Sequence, residues 1–342
     1  MAEKVTSFDI AYIAGVSQPT VSRALRGSPS VSEQTRKRIE AIAVQLNYKV
    51  DKNASNLRSQ HSNTLALLFF EDPTPDDSLI NPFYLSMLGS ITRACAQHGY
   101  DLLISFQQLS GDWHVDYEDS RKADGLILLG YGDYLEYEPL LDRLVAQGTH
   151  FVRWGSVEEG LMGTTVGCDN VQGGRDATAH LITCGYKNIA FLGTASDHCP
   201  ELLARYQGYH TALIAAGLTP NKALQVDALT TEVEGQAAMK TLLSRGVKID
   251  AVFAASDMIA IGAMAACRDA GLNVPQDIAM IGFDDIPAAA FANPPLTTVV
   301  QDVRLAGLTL VETLLAQIRN QPTTHTMLPT RLVVRRSTGA TS

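Results

Sequence analysis

Over the first fifty positions apolar residues recur at helical spacing: Ile10, Ala11, Ile13 and Ala14, then Val21, Ala24 and Leu25, then Ile39, Ile42, Ala43 and Leu46. The spacing predicts three short helices. Thr6 caps the first, Gly15 permits a tight turn, Ser17 caps a second helix ending at Gly27, and Ser32 caps the third. With Val21, Ala24 and Leu25 turned inward, Gln18, Pro19, Ser22 and Arg23 face outward. A core of that size is too small to enclose a catalytic pocket.

Residues 49–63 carry neither a helical stripe nor strand alternation and read as a linker. From Leu65 the pattern changes to apolar runs of strand length (LALLFF, DLLIS, GLILLG, HFVRW, IAFLG, AVFAAS, IAMIGF) separated by segments of helix length. That alternation predicts a parallel, doubly wound α/β body. DGLILLG at 124–130 resembles DAVFAAS at 250–256, which suggests two similarly built lobes. The chain thus divides into a helical head (1–48), a linker (49–63) and a two-lobed body (64–342). Ligands of such sheets bind beyond the carboxyl ends of the strands, so a cleft between the lobes is expected.

Charge sharpens this division. The 342 residues carry a net charge of −9, yet residues 1–60 hold nine Lys and Arg against five Asp and Glu, so a basic head sits on an acidic body. An apolar fraction of 46 % is ample for packed cores and excludes a disordered chain. No run of eighteen apolar residues and no N-terminal signal-like stretch occurs, so a cytoplasmic protein without membrane contact is expected. Cys95, Cys168, Cys184, Cys199 and Cys267 have no CxxC spacing and read as reduced thiols. An α/β enzyme and a secreted solute-binding protein are the competing classes. Against the first, the sequence has no GxSxG, GxxxxGK[ST] or HExxH motif and no metal-spaced cluster; no catalytic residue, metal or cofactor is expected. Against the second stand the basic head and the missing signal.

The stretch VTSFDIAYIAGVSQPTVSRALRGSPSVSEQTRKRIEAIAVQLNY at 5–48 resembles the DNA-binding head of the lactose-repressor/galactose-repressor (LacI/GalR) family of transcription factors. The resemblance implies a helix-turn-helix whose second helix enters the major groove of operator DNA, with Gln18, Pro19 and Arg23 at base-reading positions, Ser17, Thr20 and Ser22 near phosphates, and Thr6 as a further DNA-binding residue. The chemistry suits the roles, since Arg forks onto guanine, Gln onto adenine, and short hydroxyls onto phosphate oxygens. NASNLRS at 53–59 resembles the family's hinge helix, which implies DNA contacts from Asn53, Leu57 and Arg58, with Leu57 wedged into the minor groove. Val50 and Asp51 stand where the family usually has Pro-Asn.

In the body, NPFY at 81–84, CDNVQGG at 168–174, ARYQGY at 204–209, IAMIGFDDI at 278–286 and PPLTTVVQD at 294–302 extend the resemblance to about residue 338, implying a type I periplasmic-binding-protein-like fold adapted to sense a metabolite. Carried over position by position, the effector contacts are Phe83, Tyr84, Trp154, Asp169, Arg205, Ser256 and Asp284, with Arg153 as an addition that hints at an oxygen-rich or anionic effector. Carboxylates, a guanidinium and aromatic faces suit a mono- or disaccharide. Asp285 reads as structural, because adjacent acids at a strand end point to opposite sides, and Trp113 sits in no motif. The implied function is a repressor released from its operator by a saccharide; a corepressor-dependent repressor of the same architecture is the alternative. A homodimer is expected, because the helix at 258–267 (MIAIGAMAAC) is apolar almost all round and needs a second partner. No C-terminal leucine heptad follows Thr338, so the expectation stops at a dimer.

Overall fold

The computed structural model describes residues 5–25, 27–48, 61–70, 80–106, 111–130, 132–157 and 162–339. The chain forms two compact units, Met1–Ser62 and Asn63–Ser342. The first holds α1 (Ser7–Ala14), α2 (Gln18–Leu25) and α3 (Glu33–Gln45) around Ile10, Val21, Ala24, Ile39 and Ala43. Gly15 is left-handed, at φ 62°, and turns the chain from α1 into α2. Ile13 departs from its expected inward position and is 54 % exposed. At 100° per residue it lies roughly 105° from the centre of the arc made by Ile10, Ala14 and Ala11, outside the face that α2 and α3 cover.

The second unit contains two six-stranded sheets. The first runs β11 (Thr326–Leu328), β5 (Thr164–Cys168), β4 (Phe151–Trp154), β3 (Leu126–Leu129), β1 (Thr64–Phe69) and β2 (Asp101–Phe106), all parallel. The second runs β12 (Thr330–Val333), β10 (Thr297–Gln301), β9 (Ala279–Asp284), β8 (Ala251–Ala254), β6 (Ile189–Leu192) and β7 (Gln225–Val226), with only β12 antiparallel to its neighbour. The chain passes between the lobes after β5, after β10, and between β11 and β12.

The helices are α4 (Pro82–Gln97), α5 (Tyr134–Ala146) and α11 (Val303–Ile318) on the first lobe, and α6 (Asn170–Thr183), α7 (Pro200–Ala215), α8 (Glu232–Ser244), α9 (Asp257–Asp269) and α10 (Pro287–Phe291) on the second. Many begin on a polar cap at a strand's carboxyl end: Asn81, Asp133, Asp169, Ser256 and Asp302 each accept an amide of the first turn. The caps satisfy donors that would otherwise be orphaned, and they bring polar side chains to the edge where the lobes face each other.

Two contacts explain local sequence. Gly174 in α6 and Gly208 in α7 let those helices touch through their backbones, because a Cβ at Gly174 would collide with the Arg205 carbonyl and one at Gly208 with the Val171 carbonyl. The apolar α9 lies against the β8–β9 face on one side and against α8 on another. The second partner expected from its composition is therefore α8 of the same chain and not a partner subunit.

Candidate functional site

In the head, α2 presents Pro19 and Arg23 to solvent while Val21 and Ala24 are buried. Gln18 is half-buried and its Nε2 donates to Ser7 Oγ at 3.1 Å, which ties the start of α2 to α1. The Ser17 and Thr20 hydroxyls lie 2.9 Å apart at the N-terminus of α2, where free amides favour an anion. Thr6 donates through its amide and hydroxyl to Asp9, at 2.7 and 2.8 Å. Arg23 makes no ion pair among the described residues. Asn53, Leu57 and Arg58 lie outside the described residues.

In the body, Arg205, Asp284, Ser256 and the residue after Asp169 converge at the strand ends of the second lobe. Arg205, on α7, is 1 % exposed. Its Nε donates to Asn170 Oδ1 at 2.9 Å, one Nη donates to the Ala255 carbonyl at 2.6 Å and lies 3.5 Å from Asp284 Oδ1, and the guanidinium stacks 3.8 Å from the Phe283 ring centre. Asp284 also accepts from Gln301 Nε2 at 2.6 Å. Burial pushes its carboxyl up to about 6, against the opposing pull of Arg205 and Gln301.

Asp284 and Asp285 have positive φ, 112° and 53°, a conformation that non-glycine residues hold only when their surroundings fix it. The fixing groups are visible. Arg335 donates to Asp285 Oδ1 at 2.6 Å, and fully buried Asp257 accepts from the Ile286 amide at 2.9 Å and from Thr298 Oγ1 at 2.6 Å. Burial, then the neighbouring Asp284, raises the Asp257 carboxyl well above the ordinary range. Ser256 caps α9 by accepting the Ile259 amide at 3.2 Å, and Asp169 caps α6 by accepting the Gln172 amide at 2.9 Å.

On the first lobe, Phe83 and Tyr84 pack edge-on with centroids 5.3 Å apart, and Phe83 lies 6.1 Å from Trp154. A cavity of about 400 Å³ separates Phe83 and Ser86 from Asp284, Ile286 and Gln301 of the facing lobe. Two buried acceptors on this side, Asp284 Oδ2 and Gln301 Oε1, have no donor among the described residues. Arg153 is not with them. It alternates with Trp154 along β4 and packs on the opposite side, its guanidinium 5.4 Å from the Tyr134 ring centre. Trp113 is a core residue of that side, 6.0 Å from Phe70.

At this rim the lobes touch. His198 Nδ1 and Asp133 Oδ2 are 2.6 Å apart, the Tyr134 amide donates to the His198 carbonyl at 3.0 Å, and the Ser156 amide donates to Glu201 Oε1 at 3.0 Å. Sequence reading missed Asn170, Gln301, Glu201 and this rim. Gln301 had a signal, a polar residue ending the TTVVQ run, whereas the rim pairs residues 65 positions apart with no pattern to join them.

Comparison with known proteins agrees with both units. Residues 8–51 match the family described as "Bacterial regulatory proteins, lacI family", and residues 178–338 match a "Periplasmic binding protein-like domain". The chain is 33 % identical over 336 residues to the HTH-type transcriptional regulator CelR of Thermobifida fusca, covering 96 % of each. Its fold is similar to that of a CelR–cellobiose complex (TM-score 0.72, 31 % identity, 98 % of this chain and 100 % of that one). It is also similar to the lac repressor dimer bound to operator and the anti-inducer ONPF (TM-score 0.83, 26 % identity, 98 % and 99 %). No helix among the described residues is long and apolar enough to cross a membrane. A helix-turn-helix head, a two-lobed α/β body and full-length similarity to such regulators lead to one conclusion: the chain belongs to the lacI family of bacterial transcriptional regulators.

Proposed function

We propose that this protein is a cytoplasmic, non-enzymatic repressor that binds an operator as a homodimer and leaves it when a small saccharide enters the cleft. One observation carries the effector class. Asp284 Oδ2 and Gln301 Oε1 are buried acceptors without donors among the described residues, and they border a cavity whose opposite wall is the aromatic Phe83. Hydroxyl groups supply the missing donors, and the C–H face of a sugar ring suits the aromatic wall. The cellobiose found in the CelR complex supports the same chemistry. Of the residues named from the sequence, Phe83 and Asp284 line this pocket, Tyr84 and Trp154 pack on Phe83, Arg205 pairs with Asp284, and Asp169 and Ser256 cap helices at neighbouring strand ends. Pro19, Arg23 and Gln18 would read bases beside phosphate contacts from Ser17, Thr20 and Ser22, and residues 49–63 would form the hinge.

The dimer is supported by two exposed apolar surfaces. Among the described residues, edge strand β2 has no neighbour on its outer side and exposes Leu103, Ile104 and Phe106, and Phe291 at the end of α10 is 88 % exposed. A two-fold contact through them covers both and matches a nearly palindromic operator.

Selection of duplexes from a random pool by the full-length protein tests the reading. The enriched sequence should be an inverted repeat, its retention should fall steeply with salt, and a saccharide that raises the melting temperature should release it. No enrichment, or operator affinity that rises with the saccharide, refutes the repressor-release reading.

A further inference from the structure

A side-chain hydrogen bond joins the two helices of the helix-turn-helix. Gln18, the first residue of α2, donates from Nε2 to the Oγ of Ser7, the first residue of α1, at 3.1 Å. The bond is half-buried, and it is the only one the Gln18 side chain makes among the described residues, so Oε1 has no donor there. Of the three residues proposed to read bases, Gln18 alone is held in this way. Pro19 has no polar side-chain atom, and the Arg23 guanidinium makes neither an ion pair nor a hydrogen bond among the described residues. The cap of α1 does not use the serine, because the Thr6 amide and hydroxyl both go to Asp9.

A glutamine loses several rotatable torsions when its amide meets a base, and an untethered amide can turn either end to the groove. The bond to Ser7 sets both place and orientation. With one N–H given to Ser7, the amide keeps a carbonyl and one N–H, the pattern that adenine meets with its N6 amino group and N7. Guanine sets its O6 acceptor against that carbonyl instead. We infer that Ser7 is a positioning residue for base recognition: acting through Gln18, it fixes one base pair of each operator half-site as A·T and rejects G·C. The inference rests on the base-reading role proposed above for Gln18.

The test measures affinity by fluorescence anisotropy with the full-length protein on the duplex selected from the random pool. The pair concerned is the one whose preference Gln18→Ala removes. There the native protein should favour A·T over G·C by about ten-fold, and Ser7→Ala should reduce that ratio to about two-fold. Ser7→Thr keeps the hydroxyl and should restore the native ratio. Discrimination at the pair whose preference Arg23→Ala removes should be the same in all three proteins, which a general loosening of the head would not spare. Native preference for G·C at the Gln18 pair, an unchanged ratio in Ser7→Ala, equal weakening on every sequence, or a ratio that Ser7→Thr does not restore would each overturn the inference and leave the role of Gln18 standing. A Gln18→Ala protein with native selectivity at every pair would overturn both.

Discussion

Replacing Arg205 by Met asks whether the floor of the cleft is held by charge. Met retains much of the apolar stem against Phe283, so the deficit arises from acceptors left without donors and from a carboxylate left without its cation. The Ala255 carbonyl loses its donor and Asn170 Oδ1 keeps only the weak Cys168 thiol, a loss of about 1–3 kcal/mol. Breaking a buried ion pair costs about 3–5 kcal/mol while the surviving charge stays ionised.

The second cost depends on pH through Asp284, whose carboxyl stands at about 6 because burial raises it and Arg205 partly restrains it. Without Arg205 it rises further. Below that value both proteins hold Asp284 protonated and the variant lacks only hydrogen bonds; as pH climbs through it, the native carboxylate ionises beside a cation and the variant has none to offer. The deficit therefore grows with pH. At roughly 2 °C per kcal/mol for a body of this size, calorimetric unfolding should fall by roughly 2–6 °C at pH 5, where only hydrogen bonds are lost, and by roughly 8–16 °C at pH 8, where the ion-pair cost is added. Adding Asp284→Asn should recover most of the pH-dependent part. An equal deficit at both pH values would refute the coupling.

Three further outcomes are expected. Gly174→Ala pushes a Cβ into the Arg205 carbonyl and should lower stability by about 1–3 kcal/mol in urea melts; an unchanged midpoint would mean that α6 and α7 are not in backbone contact. Effector affinity should weaken about ten-fold between pH 7 and pH 5, since Asp284 loses acceptor capacity as it protonates near 6, and the dependence should vanish in Asp284→Asn. Arg23→Ala should cost about 1–3 kcal/mol of operator binding and relax one base position per half-site, whereas uniform weakening across sequences would make it a phosphate contact.

Strands with continuous apolar runs were legible in the sequence, because a strand buried on both faces needs apolar residues throughout. LALLFF, GLILLG, AVFAAS and IAMIGF became β1, β3, β8 and β9 within a residue or two. The strands absent from the apolar runs, β5 (TTVGC), β7, β10 (TTVVQ), β11 and β12, are short or polar, and their place depends on partners far along the chain. The same division runs through the site. Arg205 and Asp284 stand in dense local motifs, whereas Asn170 and Gln301 act only because the fold brings them within hydrogen-bond reach of those two. Arg153 and Trp154 are neighbours in sequence, yet the pleat of β4 sends them to opposite sides, which a motif match alone does not resolve.

The threefold passage of the chain between the lobes sets the order in which the protein matures on the ribosome. The head is finished once Ser62 has emerged, and units of this kind fold as they appear. The first lobe cannot follow at once: α11 (Val303–Ile318) is the helix that packs beside α4, with Gly307 against Ser90 and Ile91, and β11 closes the far edge of its sheet. The second lobe in turn lacks β12 until residue 333. A nascent chain therefore acquires the part that reads DNA long before either half of the part that regulates it, and the sensor assembles in one late cooperative step.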